Sequence, residues 1–134
     1  MIGAVIITHG ALASGIVEVA QSITGPLEKV LTVEIMNSES TEDIRDALCA
    51  AVERADSGKG VIIFTDMFGG TPTNIALSLL DEGRVEILTG INLPILIKFV
   101  GHRSEKPLHE LTLLLKDYGQ KSIVLAGDML KERK

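Results

Sequence analysis

The chain has 134 residues, 46% of them hydrophobic, with a formal net charge of -5 and a pI near 5.1. That suffices for one compact domain with its own core, expected over residues 1–134, and the absence of a Lys/Arg cluster excludes the electrostatic footprint of a nucleic-acid binder. No apolar run reaches the roughly 18 residues of a membrane span, and the first basic residue, Lys29, comes too late for the charged start of a signal peptide. The single cysteine, Cys49, cannot form an internal disulfide, which fits a reducing, cytoplasmic setting.

The chain opens on Ala4 to Ile7, a short β-branched apolar run of the kind buried on both faces of a parallel sheet. The spacing of Leu12, Ile16, Val19, Ala20 and Ile23 predicts a helix from Ala11 to Ile23, stopped by Gly25-Pro26. A second strand is expected at Val30 to Ile35. After Ser40, the expected N-cap, Ile44, Ala47, Leu48, Ala51, Val52 and Ala55 form one apolar stripe, with Glu42 and Asp43 suited to the first turn. The third strand, Gly60 to Phe64, is again almost wholly apolar. Helices at Thr73 to Leu80, Pro94 to Val100 and Leu108 to Tyr118, with strands at Val85 to Leu88 and Ser122 to Leu125, complete the order. The expectation is an α/β fold: a single, doubly wound, mostly parallel five-stranded sheet, its order beginning 2-1-3, with helices on both faces.

In such a sheet, ligands bind beyond the carboxyl ends of the strands where the strand order reverses. The loops that would bound this crevice read "THG", Thr8 to Gly10, and "TDMFGGTPTN", Thr65 to Asn74. Asp66 ends a strand, Gly69-Gly70 permits close backbone approach, and Thr71-Pro72 reads as an N-cap followed by proline at N1. Together they predict a helix N-terminus suited to an anion. Taken singly, each residue has a plain structural reading: His9 as a polar loop residue, Asp66 as turn chemistry, Gly69-Gly70 as a tight turn. Their combination points to phosphoryl chemistry, with a ring nitrogen of His9 as nucleophile and Asp66 fixing the tautomer through the other.

With "TGINLP" after the fourth strand, these motifs resemble, in order and position over nearly the whole chain, the IIA domain of the mannose/fructose/sorbose class of the bacterial sugar phosphotransferase system. The resemblance implies that His9 accepts a phosphoryl group from the phosphocarrier HPr and passes it to a histidine of a IIB component, which phosphorylates sugar entering through a membrane permease. Asp66 would orient His9; Gly69, Gly70 and Thr71 would bind the phosphoryl group; Thr8, Gly10, Gly90 and Asn92 would shape the rim. It also implies homodimers, in some members with the last strand exchanged. Since the sequence stops at Lys134 without a IIB domain, IIB is expected as a separate protein.

Other readings remain open at this point: a regulatory phosphoprotein of the same family without transport, and a flavodoxin-like nucleotide- or anion-binding module, although G-x-G-x-x-G and a P-loop lysine are missing. A metal-dependent receiver phosphorylated on Asp66 lacks an acid at the end of the first strand. A subunit serving dihydroxyacetone kinase would share the chemistry with a different acceptor. His102 and His109 are expected to be solvated, since the histidine spacing matches no metal motif. "KERK" reads as a frayed tail.

Overall fold

The computed structural model describes residues 1–37 and 39–132, without the side chain of Glu132. Strands β1 (Gly3–His9), β2 (Val30–Ile35), β3 (Val61–Thr65) and β4 (Val85–Thr89) form one parallel sheet in the order β2-β1-β3-β4. They alternate with α1 (Leu12–Thr24), α2 (Thr41–Ala55) and α3 (Gly70–Leu77); α4 (Leu93–His102), α5 (Leu108–Lys121) and α6 (Ala126–Glu132) follow β4.

The period-two pleat divides β1 between two cores. Ala4 and Ile6, with Ile62 and Phe64 of β3, pack under α1, α4 and α5. Val5 and Ile7, with Val61 and Ile63, pack under Ile44, Leu48, Val52 and Ala55 of α2 and Ile75 and Ala76 of α3. All of β3 is buried, as its unbroken apolar sequence requires of a central strand covered on both faces. The stripe after Ser40 forms as expected, with the Ser40 hydroxyl accepting from the Asp43 N–H at 3.1 Å; Ser38, two residues before this cap, lies outside the described residues.

Among the described residues the sheet has four strands, not five. Ser122 to Leu125 leaves α5 as an irregular segment with Ile123 81% exposed, and among the described residues its β-favouring sequence has no neighbouring strand. The helix expected to end at Tyr118 runs on to Lys121, and Gly119 lies inside it, where a Cβ would stand 2.5 Å from Ile95 Cδ1. Glycine there lets α4 and α5 approach closely. The tail expected to fray is in part helical, since Lys131 and Glu132 close α6; Arg133 and Lys134 lie outside the described residues.

The switch point falls between β1 and β3, because the chain leaves β1 for β2 on one side and returns to β3 on the other. Both strands end there, β1 on His9 and β3 one residue before Asp66.

Candidate active site

His9 is the last residue of β1 and its only exposed one. Three hydrogen bonds fix the chain around it: the Gly10 N–H donates to the Ile35 carbonyl at 3.0 Å, the His9 N–H to Asp66 Oδ2 at 3.0 Å, and the Ala13 N–H to Thr8 Oγ1 at 2.9 Å. The ring is half-exposed, and its Nδ1 stands 2.8 Å from Asp66 Oδ2. A carboxylate oxygen only accepts, so Nδ1 carries the hydrogen and Nε2 is left with a free lone pair.

Asp66 is suited to stay charged. Burial, the largest single influence on it, pushes its carboxyl up, but hydrogen bonds from the His9 main chain and ring, with the electrostatic attraction of the ring's N–H, outweigh this and hold it below its ordinary value. Its second oxygen, Oδ1, accepts from the Met67 N–H at 3.0 Å, so both oxygens are fixed.

Gly70 faces the free nitrogen. A Cβ there would lie 3.2 Å from His9 Cε1 and 3.5 Å from Nε2, and Gly70 has a φ of +80°. Glycine is required twice over, by conformation and by space. Gly69, with a φ of +86°, precedes α3 and occupies its N-cap position without a side-chain cap. This corrects the reading of Thr71 as the cap: the two left-handed glycines turn the chain early enough for α3 to begin at Gly70, leaving Thr71 and Pro72 inside the first turn. The consequence is chemical, because among the described residues the Thr71 hydroxyl makes no capping bond, and the first N–H groups of α3 have no partner within the helix. These donors carry the positive end of the helix dipole.

A crevice of about 420 Å³ opens beside the ring, lined by His9, Gly10, Met36, Glu39, Thr41 and Thr71 among others. The α2 end of this crevice went unforeseen in the sequence, as nothing in "MNSEST" marks it apart from a helix start. Of the residues expected at the rim, Gly10 lines this crevice. Thr8 is fully buried and serves α1, while Gly90 is tied through its N–H to the Thr65 carbonyl at 3.0 Å. Asn92 caps α4, accepting from the Ile95 N–H at 2.9 Å, and donates to Ser122 Oγ at 3.3 Å. None of these three hydrogen-bonds to His9 among the described residues. Met67 and Phe68 protrude, Phe68 being 78% exposed.

The other histidines lie elsewhere. His102 pairs with Glu105 at 3.0 Å, and His109 lines a larger cavity, about 550 Å³, at the opposite end of the sheet with Lys59 and Arg103. That cavity is remote from His9.

The family model for the "PTS system fructose IIA component" matches residues 3–113. The chain belongs to this family. It is 28% identical over its whole length to the fructose-specific EIIA component of Bacillus subtilis, covering 92% of that protein. It is 29% identical over 124 residues to the mannose-specific EIIAB component of Escherichia coli, of which it spans only 38%. A crystal structure of phosphotransferase system component EIIA from Streptococcus agalactiae superposes with a TM-score of 0.86 at 27% identity, over 96% of this chain and 99% of that one. As a IIA family member the chain has the four-stranded parallel sheet and flanking helices described above, and no helix among the described residues is long and apolar enough to cross a membrane.

Proposed function

We propose that this IIA protein is a phosphocarrier whose His9 Nε2 takes a phosphoryl group from the phosphohistidine of HPr and delivers it to a histidine of a IIB component in sugar uptake. The observation that carries this reading is the hold of Asp66 on Nδ1, which leaves Nε2 as the free nitrogen facing Gly70 and the start of α3.

The lone pair of Nε2 attacks phosphorus, the donor's P–N bond breaks, and its electron pair returns to the donor imidazole. No proton moves. His9 keeps the hydrogen on Nδ1, so the phosphorylated ring becomes an imidazolium whose positive charge lies against the Asp66 carboxylate. The phosphoryl oxygens meet the N–H groups of Gly70 and Thr71 and the Thr71 hydroxyl, fixed dipoles in place before the charge arrives. The reverse step onto IIB uses the same contacts, which suits a carrier that must release its cargo.

The protein acts in the cytoplasm, reaches the membrane only indirectly through a permease complex, and is a homodimer. The dimer reading draws support from the exposed apolar run Ile123-Val124-Leu125, a strand sequence without a strand partner, and from β4, the sheet's last strand on that side. No metal or organic cofactor enters the step, and no nucleic acid is a partner.

A chase experiment tests the carrier role. Protein labelled through phosphoenolpyruvate, enzyme I and HPr, then freed of donor, should lose its label to added IIB. Label that forms on His9 but never leaves for any IIB component would instead support the regulatory reading.

A further inference from the structure

The loop that carries Asp66 and the two glycines is closed from beneath by two buried hydroxyls. Thr65, the last residue of β3, and Thr73, in the first turn of α3, are 0% and 1% exposed, and their Oγ1 atoms stand 2.8 Å apart. The Thr73 hydroxyl donates to the Met67 carbonyl, and Thr65 Oγ1 approaches the same carbonyl at 3.4 Å. Each hydroxyl has one hydrogen. With that of Thr73 spent on Met67, that of Thr65 goes to Thr73 Oγ1, so the direction of the chain is fixed.

The clasp encloses Asp66. Its two anchors are Thr65, immediately before Asp66, and Thr73, on the far side of the glycine turn. The residue it grips, Met67, is the one whose N–H donates to Asp66 Oδ1. The residue that holds one carboxylate oxygen is thereby held itself, while the other oxygen is left to His9.

We propose that Thr73, with Thr65 behind it, is a positioning residue for phosphotransfer, holding the Asp66 loop so that the carboxylate stays aligned on His9 Nδ1 and Gly70 stays opposite Nε2. The proposal rests on the phosphocarrier reading. Thr73 lies beneath the loop and touches neither the imidazole nor the incoming group, so it acts through Asp66.

The test is the rate of His9 labelling from phosphorylated HPr in Thr73→Val, which keeps the buried shape and removes the hydroxyl, and in Thr73→Ser, which restores it. Thr73→Val should lower the maximal rate about ten-fold, a loss of the size seen when the outer partner of a functional side chain is removed. The HPr concentration for half-maximal rate should hold, since no docking side chain changes, and Thr73→Ser should recover most of the rate. In an Asp66→Asn background, the same Thr73→Val change should cost little more.

An unchanged rate in a folded Thr73→Val protein overturns the proposal, as does an equal loss in the two Asp66 backgrounds. If Thr73→Val fails to fold, the comparison of Thr73→Ser with Thr65→Val decides: Thr65→Val must slow transfer while Thr73→Ser does not. A wild-type protein that takes no label at all fails the phosphocarrier reading itself, an outcome distinct from these.

Discussion

Asp66 Oδ2 accepts from His9 twice, from the main-chain N–H at 3.0 Å and from Nδ1 at 2.8 Å. One oxygen therefore fixes both where the end of β1 lies and which tautomer its ring adopts. Replacing the histidine separates these two functions. In His9→Ala the main-chain bond persists, so stability should change by about 1 kcal/mol or less, as is usual for a half-exposed side chain, while phosphorylation is abolished. Thermal unfolding and labelling of the same preparation check both; retained label would remove His9 from the mechanism.

Asp66→Asn should slow labelling about 10- to 100-fold with His9 still in place, because the amide no longer offsets the charge of a phosphorylated ring. Its effect on stability should also depend on pH. The Asp66 carboxyl is held below its ordinary value, so its ionised form contributes stability that is fully present above the unfolded pKa and is lost as pH falls through the lower folded one. The stability difference between wild type and Asp66→Asn should be steady near neutrality and narrow below about pH 4. Urea unfolding across that range measures it, and a difference that widened in acid would contradict the assignment.

Gly70→Ala places a methyl against the ring, 3.2 Å from Cε1, at a φ of +80°. The strained backbone should cost about 1 to 3 kcal/mol, and labelling should fall further than in Gly69→Ala, where φ is also positive but a Cβ would meet nothing within 4 Å. Equal activity in the two variants would show that the space in front of Nε2 is not needed.

Arg103 provides the contrast. Buried at the other end of β1, it donates through Nε to the Ile2 carbonyl at 2.9 Å and lies over the Phe99 ring. Arg103→Met should lower stability by about 1 to 3 kcal/mol, leaving that carbonyl without its charged donor, yet leave the labelling rate of the folded protein unchanged. A stability loss with a matching loss of rate would mean that the two ends of the sheet are coupled.

What the sequence disclosed follows from what each segment must satisfy locally. Strands β1 and β3 were legible because burial on both faces demands unbroken apolar runs, and α2 because an apolar stripe and a serine cap are both local signals. The fifth strand was misread for the same reason: Ser122 to Leu125 has the right residues, but a strand also needs a neighbour, which sequence pattern alone does not specify. At the site, the pairing of His9 with Asp66 could be anticipated from two loops meeting at the switch point. The start of α3 could not, because "GGTP" reads as a threonine cap until the left-handed glycines are seen to begin the helix earlier. Thr73 gave no signal, since its hydroxyl bonds to a carbonyl six residues away and to a hydroxyl eight residues away in the chain.

The central claim is that Asp66 leaves Nε2 of His9 as the nitrogen that carries phosphate. Mapping the acid-labile label after incubation with phosphoenolpyruvate, enzyme I and HPr, with nitrogen NMR to identify the bonded ring atom, tests it most directly. The predicted result is one phosphoryl group per chain, on His9, bonded through Nε2. Phosphate on Nδ1, on His102 or His109, or as an alkali-labile acyl phosphate on Asp66 would contradict it.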